Sequence, residues 1–293
     1  MIFALVGPTA SGKSSLALKL ASINKAIIIN GDAFQVYKQM NIGTAKPSQE
    51  ERKIVPHFLY DILDVKEDFS IFDYQKLLRK TLDEHQDELI FIVGGSGLYL
   101  KSALYDFTLE EQSNYDMSIY DSYSNEKLYE LLKEIDFEAS QKIHINNRRR
   151  ILRALEINLS TGKKKSDIEN AQEHKLLYDV TFISLDMDKE VIYSRINKRV
   201  DQMVKDGLFK EVNDLISKYP SSLKAFQAIG YKEIIKGQKE NKSQEEIIDD
   251  IKKATRNYAK RQLTYFKHQL EVLWFKNSED IEKYIDERVK KWN

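Results

Sequence analysis

The octapeptide Gly7-Pro8-Thr9-Ala10-Ser11-Gly12-Lys13-Ser14 fits the phosphate-loop pattern G-x-x-x-x-G-K-[ST] at every fixed position. It constrains the fold because such a loop works only between a strand and a helix. The apolar run from Ile2 to Val6 reads as that strand. Ser15 to Ala21, with Leu16, Ala17 and Leu20 at helical spacing, reads as the helix that the loop opens. This arrangement points backbone N–H groups at an anion, and the helix dipole adds to the attraction. Lys13 is placed to neutralise phosphate oxygens, and the Ser14 hydroxyl to coordinate Mg²⁺ carried by the same phosphates. Taken alone, the loop specifies a polyphosphate ligand and nothing finer.

The rest of the chain extends this start into an α/β protein. Four more short apolar runs, Ala26 to Ile29, Leu89 to Val93, Thr181 to Leu185 and Val272 to Phe275, read as strands buried on both faces of a parallel sheet, alternating with amphipathic helices. The predicted fold is a P-loop NTPase-like parallel sheet core flanked by helices, with a helical insertion domain. The character changes between Asp106 and about Lys175, where no strong strand signal occurs. There Leu128, Leu131, Leu132 and Ile135 follow Ser124 at helical spacing, and Ile151, Leu152 and Leu155 precede Ser160-Thr161-Gly162. The expected division is a catalytic core of residues 1–105 and 176–293 with an insertion of residues 106–175. One long helix from about Lys189 to Lys218 is predicted to return the chain to the core. Ser243 with Glu246 forms a capping box for another, ending near His268.

Composition narrows the chemistry. With 46 Lys plus Arg against 46 Asp plus Glu, any affinity for nucleic acid must come from local basic clusters. The absence of cysteine excludes disulfides, thiolate metal sites and cysteine nucleophiles, and the five histidines form no close ligand pair. The first strand begins at the N-terminus, and no apolar stretch approaches the roughly 18 residues of a bilayer span, so a cytoplasmic protein without a membrane partner is expected.

Three segments carry candidate chemistry. After the second strand, Gly31-Asp32-Ala33-Phe34-Gln35-Val36-Tyr37 leads to Gly43-Thr44-Ala45-Lys46-Pro47. Asp32 falls at the carboxyl end of a strand beside the phosphate loop, the edge where open α/β sheets build active sites. It is a candidate base, with a metal-shell ligand or a helix cap as the alternative. Gln35 carries an amide able to pair with the edge of adenine, or is a solvated polar residue. The third strand ends in Val93-Gly94-Gly95-Ser96-Gly97, where glycines permit close backbone approach and Ser96 offers a hydroxyl; a plain strand-to-helix turn is the alternative. In the insertion, Arg148-Arg149-Arg150 with Arg153 opens a helix, and Lys163-Lys164-Lys165 follows its end, a pair of cationic runs suited to phosphate backbones or to a solvated face. The late helix adds Arg256, Lys260, Arg261, Gln262 and Lys267.

Together these stretches resemble the bacterial tRNA dimethylallyltransferase (tRNA isopentenyltransferase) family. The resemblance rests on GPTASGKS, GDAFQVYKQMNIGTAKP, Pro56-His57 with Asp61-Ile62, VGGSGLY, Lys142-Ile143-His144 leading into RRRILRALEI, Ala228-Ile229-Gly230-Tyr231-Lys232-Glu233, and RNYAKRQ, all in the family's order and spanning nearly the whole chain. It implies transfer of a dimethylallyl group from dimethylallyl diphosphate to the 6-amino group of the adenosine 3′ of the anticodon, tRNA position 37. It also implies Mg²⁺ and release of diphosphate, with no obligatory protein partner. Carried over, Asp32 matches the general base and Ser96 a hydroxyl near the reacting amine. Gly7 through Ser14 and Arg256 match diphosphate ligands, and Ser14 the metal-side residue. Asp32, Ala33, Phe34 and Gln35 fall in the segment that meets the target adenosine, with Gln35 its reader. Arg149, Arg150, Arg153, Lys260, Arg261 and Gln262 lie in segments that touch tRNA.

This chain departs from the family pattern in three places. Ser96 stands where threonine is usual, Ile145-Asn146-Asn147 replaces part of an Ile-His-Pro-Asn-Asp run, and the segment after Asp106 is short. Competing readings are a small-molecule or nucleoside kinase, an isopentenyltransferase of free adenine nucleotides, and a non-catalytic RNA-binding module. A lid-type arginine pair would favour the first, the long basic insertion argues against the second, and a phosphate loop beside Asp32 is superfluous to the third.

Overall fold

Five of the six strands stand where the apolar runs lie, and they assemble into one parallel sheet. The computed structural model describes residues 1–109 and 115–292. In chain order the elements begin with β1 (Ile2–Val6), α1 (Lys13–Asn24), β2 (Ile27–Asn30), α2 (Gln49–Ile54), β3 (His57–Phe58), α3 (Ile71–Glu84), β4 (Ile90–Gly94) and α4 (Gly97–Leu104). Next come α5 (Asn125–Ile135), α6 (Phe137–Lys142), α7 (Arg148–Thr161) and α8 (Lys165–Asn170). The chain ends with β5 (Val180–Leu185), α9 (Lys189–Lys205), α10 (Leu208–Ile216), α11 (Tyr231–Lys239), α12 (Gln244–Gln269), β6 (Val272–Phe275) and α13 (Ser278–Trp292). The two-residue edge strand β3 carries too little pattern to be read from sequence.

The chain divides into two compact units, residues 1–104 with 178–293, and residues 105–177. In the larger, the strand order is β3-β2-β4-β1-β5-β6 with every pairing parallel. The central strand β1 pairs with β4 on one side and β5 on the other, so the phosphate loop leaves the sheet where the strand order switches direction. Because β2, β4 and β1 are neighbours, the loops carrying Asp32, Ser96 and Lys13 emerge side by side.

Burial follows the sequence pattern. Phe3, Leu5, Ile28, Phe91 and Val93 on one sheet face pack with Leu16, Leu20 and Ala21 of α1 and with Ile281 and Ile285 of α13. A second core joins Val36, Tyr37 and Met40 to Ile192, Ile196, Val200, Leu208, Val212, Tyr231, Ile247 and Ile251. The predicted long helix is instead two, α9 and α10, turning at Gly207, whose φ of 101° is closed to a continuing helix. The Ser243–Glu246 capping box opens α12 as expected, with both reciprocal hydrogen bonds present. Among the described residues no helix is long and apolar enough to cross a membrane.

The smaller unit is helical and closes its own core around Leu128, Leu132, Ile151 and Leu155. Asn147 caps α7, and Gly162 ends it in the left-handed conformation. The Lys163-Lys164-Lys165 run follows the end of α7 as expected, and Lys165 opens α8. Arg148 is structural: its guanidinium donates to the carbonyls of Tyr120 and Asp121 at 2.7 and 3.1 Å and also to that of Tyr123.

At Gly94 the backbones of β4 and β2 come so close that a Cβ would sit 2.0 Å from the Gly31 carbonyl oxygen. Gly94→Ala is expected to lower stability by about 1–3 kcal/mol, the usual cost of overpacking. Urea titration followed by circular dichroism checks this, and an unshifted midpoint would mean that the strand ends separate freely.

Candidate active site

The phosphate loop leads into an uncapped helix that faces a cavity. Gly12, with φ of 91°, precedes α1, no side chain caps the helix, and its first turn holds no acidic residue, so the leading amides are open to an anion. A cavity of about 270 Å³ is lined by Thr9, Lys13 and Ser14 from this loop, by Asp32, Phe34 and Gln35 after β2, and by Gly94 and Gly95 after β4. Helices α9, α10 and α12 complete it with apolar Ile196, Val200, Met203, Leu208 and Ile251 and with Arg199, Tyr258, Arg261 and Gln262. One space therefore offers a phosphate cradle and an apolar wall together. Gly7, Pro8, Ala10, Ser11 and Gly12 do not line it, and Ala10 adopts a left-handed φ of 63° within the loop.

Asp32 is built rigidly. Its Oδ1 accepts from the Phe34 amide at 2.9 Å, and its own amide donates to Asn30 Oδ1 at 2.8 Å. Asn30 is buried and tied in turn by Tyr74, whose hydroxyl donates to the Asn30 carbonyl at 3.0 Å. Burial pushes the Asp32 carboxyl above its ordinary pKa, partly offset by the Phe34 amide, Lys13, the Gln35 amide and Arg199. Burial likewise pushes Lys13 down to about 8, helped by the charge of Arg199 and opposed by Asp32. Lys13 Nζ meanwhile donates to the Pro8 carbonyl at 3.2 Å. Burial therefore disfavours the charged form of both groups, each partly supported by the opposite charge of the other.

The other candidates divide. Ser96 stands beside Asp32, its Oγ accepting from the Ala33 amide at 3.1 Å, but it is not among the residues that line the cavity. Gln35 Nε2 donates to the carbonyls of Thr44 and Ala45 at 2.9 and 3.2 Å, so its amide nitrogen is committed and its oxygen is the atom left for a ligand. Gln262 is buried, its Oε1 accepting from Thr9 N at 3.0 Å and its Nε2 donating to Gly95 O at 2.9 Å. Both ends of that amide are used inside the protein, joining α12 to the phosphate loop and to the β4 loop. Arg261 lines the cavity, while Lys260 is exposed on an outer groove of α12. Arg149 and Arg150 are exposed on α7 of the smaller unit, and Arg153 pairs with Glu156 at 2.8 Å.

Arg256 is not among the cavity residues; its Nη1 donates to Asn197 Oδ1 at 2.7 Å. The guanidinium that does reach the cavity beside Arg261 is Arg199 of α9, which sequence reasoning misses. A signal for it is present: Ile192, Ile196, Arg199 and Val200 fall at i, i+4, i+7 and i+8, so a charged residue interrupts an apolar stripe. Tyr258 is missed as well, and lies one turn before Gln262 on α12.

A switch-point phosphate loop on a parallel sheet, facing a buried carboxylate, defines the chain as a P-loop α/β protein. A profile of the family described as IPP transferase matches residues 35–269. The chain belongs to this family. It is 44% identical to the tRNA dimethylallyltransferase of Bacillus licheniformis over 94% of this chain and 90% of that protein. It is 40% identical to the Bacillus cereus tRNA dimethylallyltransferase over 98% and 95% of the respective chains. Among solved structures, the tRNA isopentenylpyrophosphate transferase of Staphylococcus epidermidis superposes with a TM-score of 0.74 at 38% identity, covering 100% of this chain and 99% of that one. A eukaryotic dimethylallyltransferase solved acting on tRNA superposes with a TM-score of 0.81 at 28% identity, covering 93% and 73%.

The lowered pKa of Lys13 gives the site a pH dependence. Below about 8 the lysine is charged; above it the folded chain holds it neutral although an unfolded chain would keep it protonated up to about 10.5. A bound anion favours the charged form, so affinity for inorganic diphosphate is expected to fall as pH rises past about 8. Lys13→Ala should bind more weakly and with a flatter pH profile. Isothermal titration calorimetry from pH 7 to 9.5 checks both, and identical profiles would remove Lys13 from the ligand set.

Proposed function

We propose that the chain transfers a dimethylallyl group from dimethylallyl diphosphate to the exocyclic 6-amino group of the adenosine at tRNA position 37, releasing diphosphate. The observation that carries this reading is the single cavity in which a phosphate loop, a buried carboxylate and an apolar wall meet. The charged head and five-carbon tail of an allylic diphosphate need both kinds of surface. The family relationship supplies the tRNA. In that cellular setting the chemistry belongs to the cytoplasm.

The adenine amino group is a poor nucleophile because its lone pair is delocalised into the ring. The allylic C–O bond therefore breaks early, and stabilising the departing diphosphate is the main task. The loop amides, Lys13 and Arg199 are placed for it, with Arg261 on the same cavity wall. As the new C–N bond forms, one N6 proton passes to the Asp32 carboxylate, whose raised pKa suits a base. Ser96, whose Oγ accepts from the Ala33 amide, fixes the backbone next to Asp32. The target base must leave its stack to enter, at a cost of a few kcal/mol that Gln35 and Phe34 would offset.

Mg²⁺ fits this chain through Ser14. That residue lines the cavity in the first turn of α1, and no group of three or more acidic, Cys or His residues able to hold a metal occurs among the described residues. Such a site suits an ion carried chiefly by substrate oxygens, as Mg²⁺ commonly is. When bound, it would neutralise charge on the diphosphate.

The direct test is mass spectrometry of nucleosides from unmodified tRNA incubated with the protein, Mg²⁺ and dimethylallyl diphosphate. The expected product is an adenosine heavier by one dimethylallyl group at position 37, and transfer of phosphate from labelled ATP instead would support a kinase. Asp32→Asn should bind both substrates while single-turnover transfer slows by about 10² or more. An unchanged rate would leave that carboxylate a structural group. Charge reversal at the exposed Arg149 and Arg150, with Arg153, should weaken tRNA binding. The slope of log K against log salt should shallow by about 0.7–0.9 for each phosphate no longer neutralised, and an unchanged slope would mark the cluster as a solvated face.

A further inference from the structure

Helix α10 contributes one carboxylate that has no place in the transfer chemistry. Glu211 Oε2 accepts from the backbone amides of Asn41 at 3.0 Å and Ile42 at 2.9 Å, while Oε1 accepts from Ile42 and Gly43, both at 3.1 Å. The buried Tyr231 hydroxyl at the start of α11 donates to the same carboxylate. Three consecutive amides on one anion fix residues 41–43 against α10. Tyr231 packs so closely on Gly43 that a Cβ there would lie 2.3 Å from its ring.

The clamp acts on the cavity because the fixed segment runs directly into it. Gly43, Thr44 and Ala45 all line the cavity, and Ala45 is held at a φ of 49°, a left-handed conformation that a non-glycine residue keeps only when its surroundings impose it. The carbonyls of Thr44 and Ala45 are the two acceptors that take Gln35 Nε2. Placing the nitrogen between two carbonyl oxygens settles which way the amide faces, since the opposite flip would set oxygen against oxygen.

We propose that Glu211, together with Tyr231, is a positioning residue for base selectivity. By fixing residues 41–45 it commits Gln35 Nε2 to the backbone and leaves Oε1 as an obligate acceptor toward the entering base. An obligate acceptor takes an exocyclic amino donor, as adenine presents, and repels the carbonyl oxygen that guanine presents at the same position. The amino group has two N–H bonds, one for Gln35 Oε1 and one for Asp32. This inference rests on the reading that Gln35 meets the target adenine of the proposed transferase.

The test compares binding of fluorescent anticodon stem-loop RNAs carrying A or G at the target position, by anisotropy, to the full chain and to Glu211→Gln and Tyr231→Phe. The wild type should prefer A. Each variant should lose about tenfold of that preference, chiefly through weaker binding of the A form. Inorganic diphosphate affinity should stay unchanged, and in transfer assays the effect should fall on KM for tRNA more than on kcat. Tyr231→Phe keeps the ring packing and reads the clamp should Glu211→Gln fold poorly. Retention of the full preference in the variants, or equal weakening of the A and G forms, overturns the role of Glu211 and leaves the transferase reading standing. Equal affinity for A and G in the wild type overturns the adenine reading of Gln35 itself.

Discussion

The parallel pairing of β2, β4 and β1 is the constraint on which the rest depends. Because Ile29 pairs with Ile92 and Leu5 with Val93, the three strands end level, and the loop leaving each is delivered to one edge. Asp32, Ser96 and the phosphate loop are far apart in sequence and come together only through this register. The Gly31–Gly94 approach, with Gly31 N donating to Val93 O at 2.8 Å, sets how tightly two of the three loops close.

Around that edge the protein holds charge with few direct partners. Lys13, Asp32 and Arg199 act on one another electrostatically inside the cavity, and burial displaces the pKa of each toward its neutral form. Holding the two cations there is costly for the protein alone, and an entering anion would relieve that cost without reorganising the donors. Rigid neutral hydrogen bonds do the holding. Asn30, Gln262 and Ser96 each join a backbone group of one site loop to another element.

Two of the supports come from helices late in the chain. Gln262 of α12 connects Thr9 with Gly95, and Glu211 of α10 grips residues 41–43. Both are amide or carboxylate groups whose polar atoms are spent on backbone. Seen in the sequence, each sits in a polar helical stretch, where solvation is the ordinary fate of such a side chain.

The phosphate loop, the five main strands, the capping box at Ser243 and the stop at Gly162 are legible in the sequence because each depends on residues within a few positions of one another. Local sterics, capping and the period of apolar residues mark them without reference to distant parts of the chain. The break at Gly207 is carried by a single residue inside a long amphipathic pattern, and β3 is too short to show a period. Which charged side chains enter the cavity is decided by tertiary structure alone. Arg199 faces the cavity and Arg256 faces Asn197 because α9 and α12 pack at one particular rotation about their axes. The commitment of Gln35 Nε2 depends on carbonyls nine and ten residues away, held in turn by a carboxylate at position 211. A sequence names the donors and acceptors; only the folded chain, by excluding water from some and not others, determines which of them remain for a ligand.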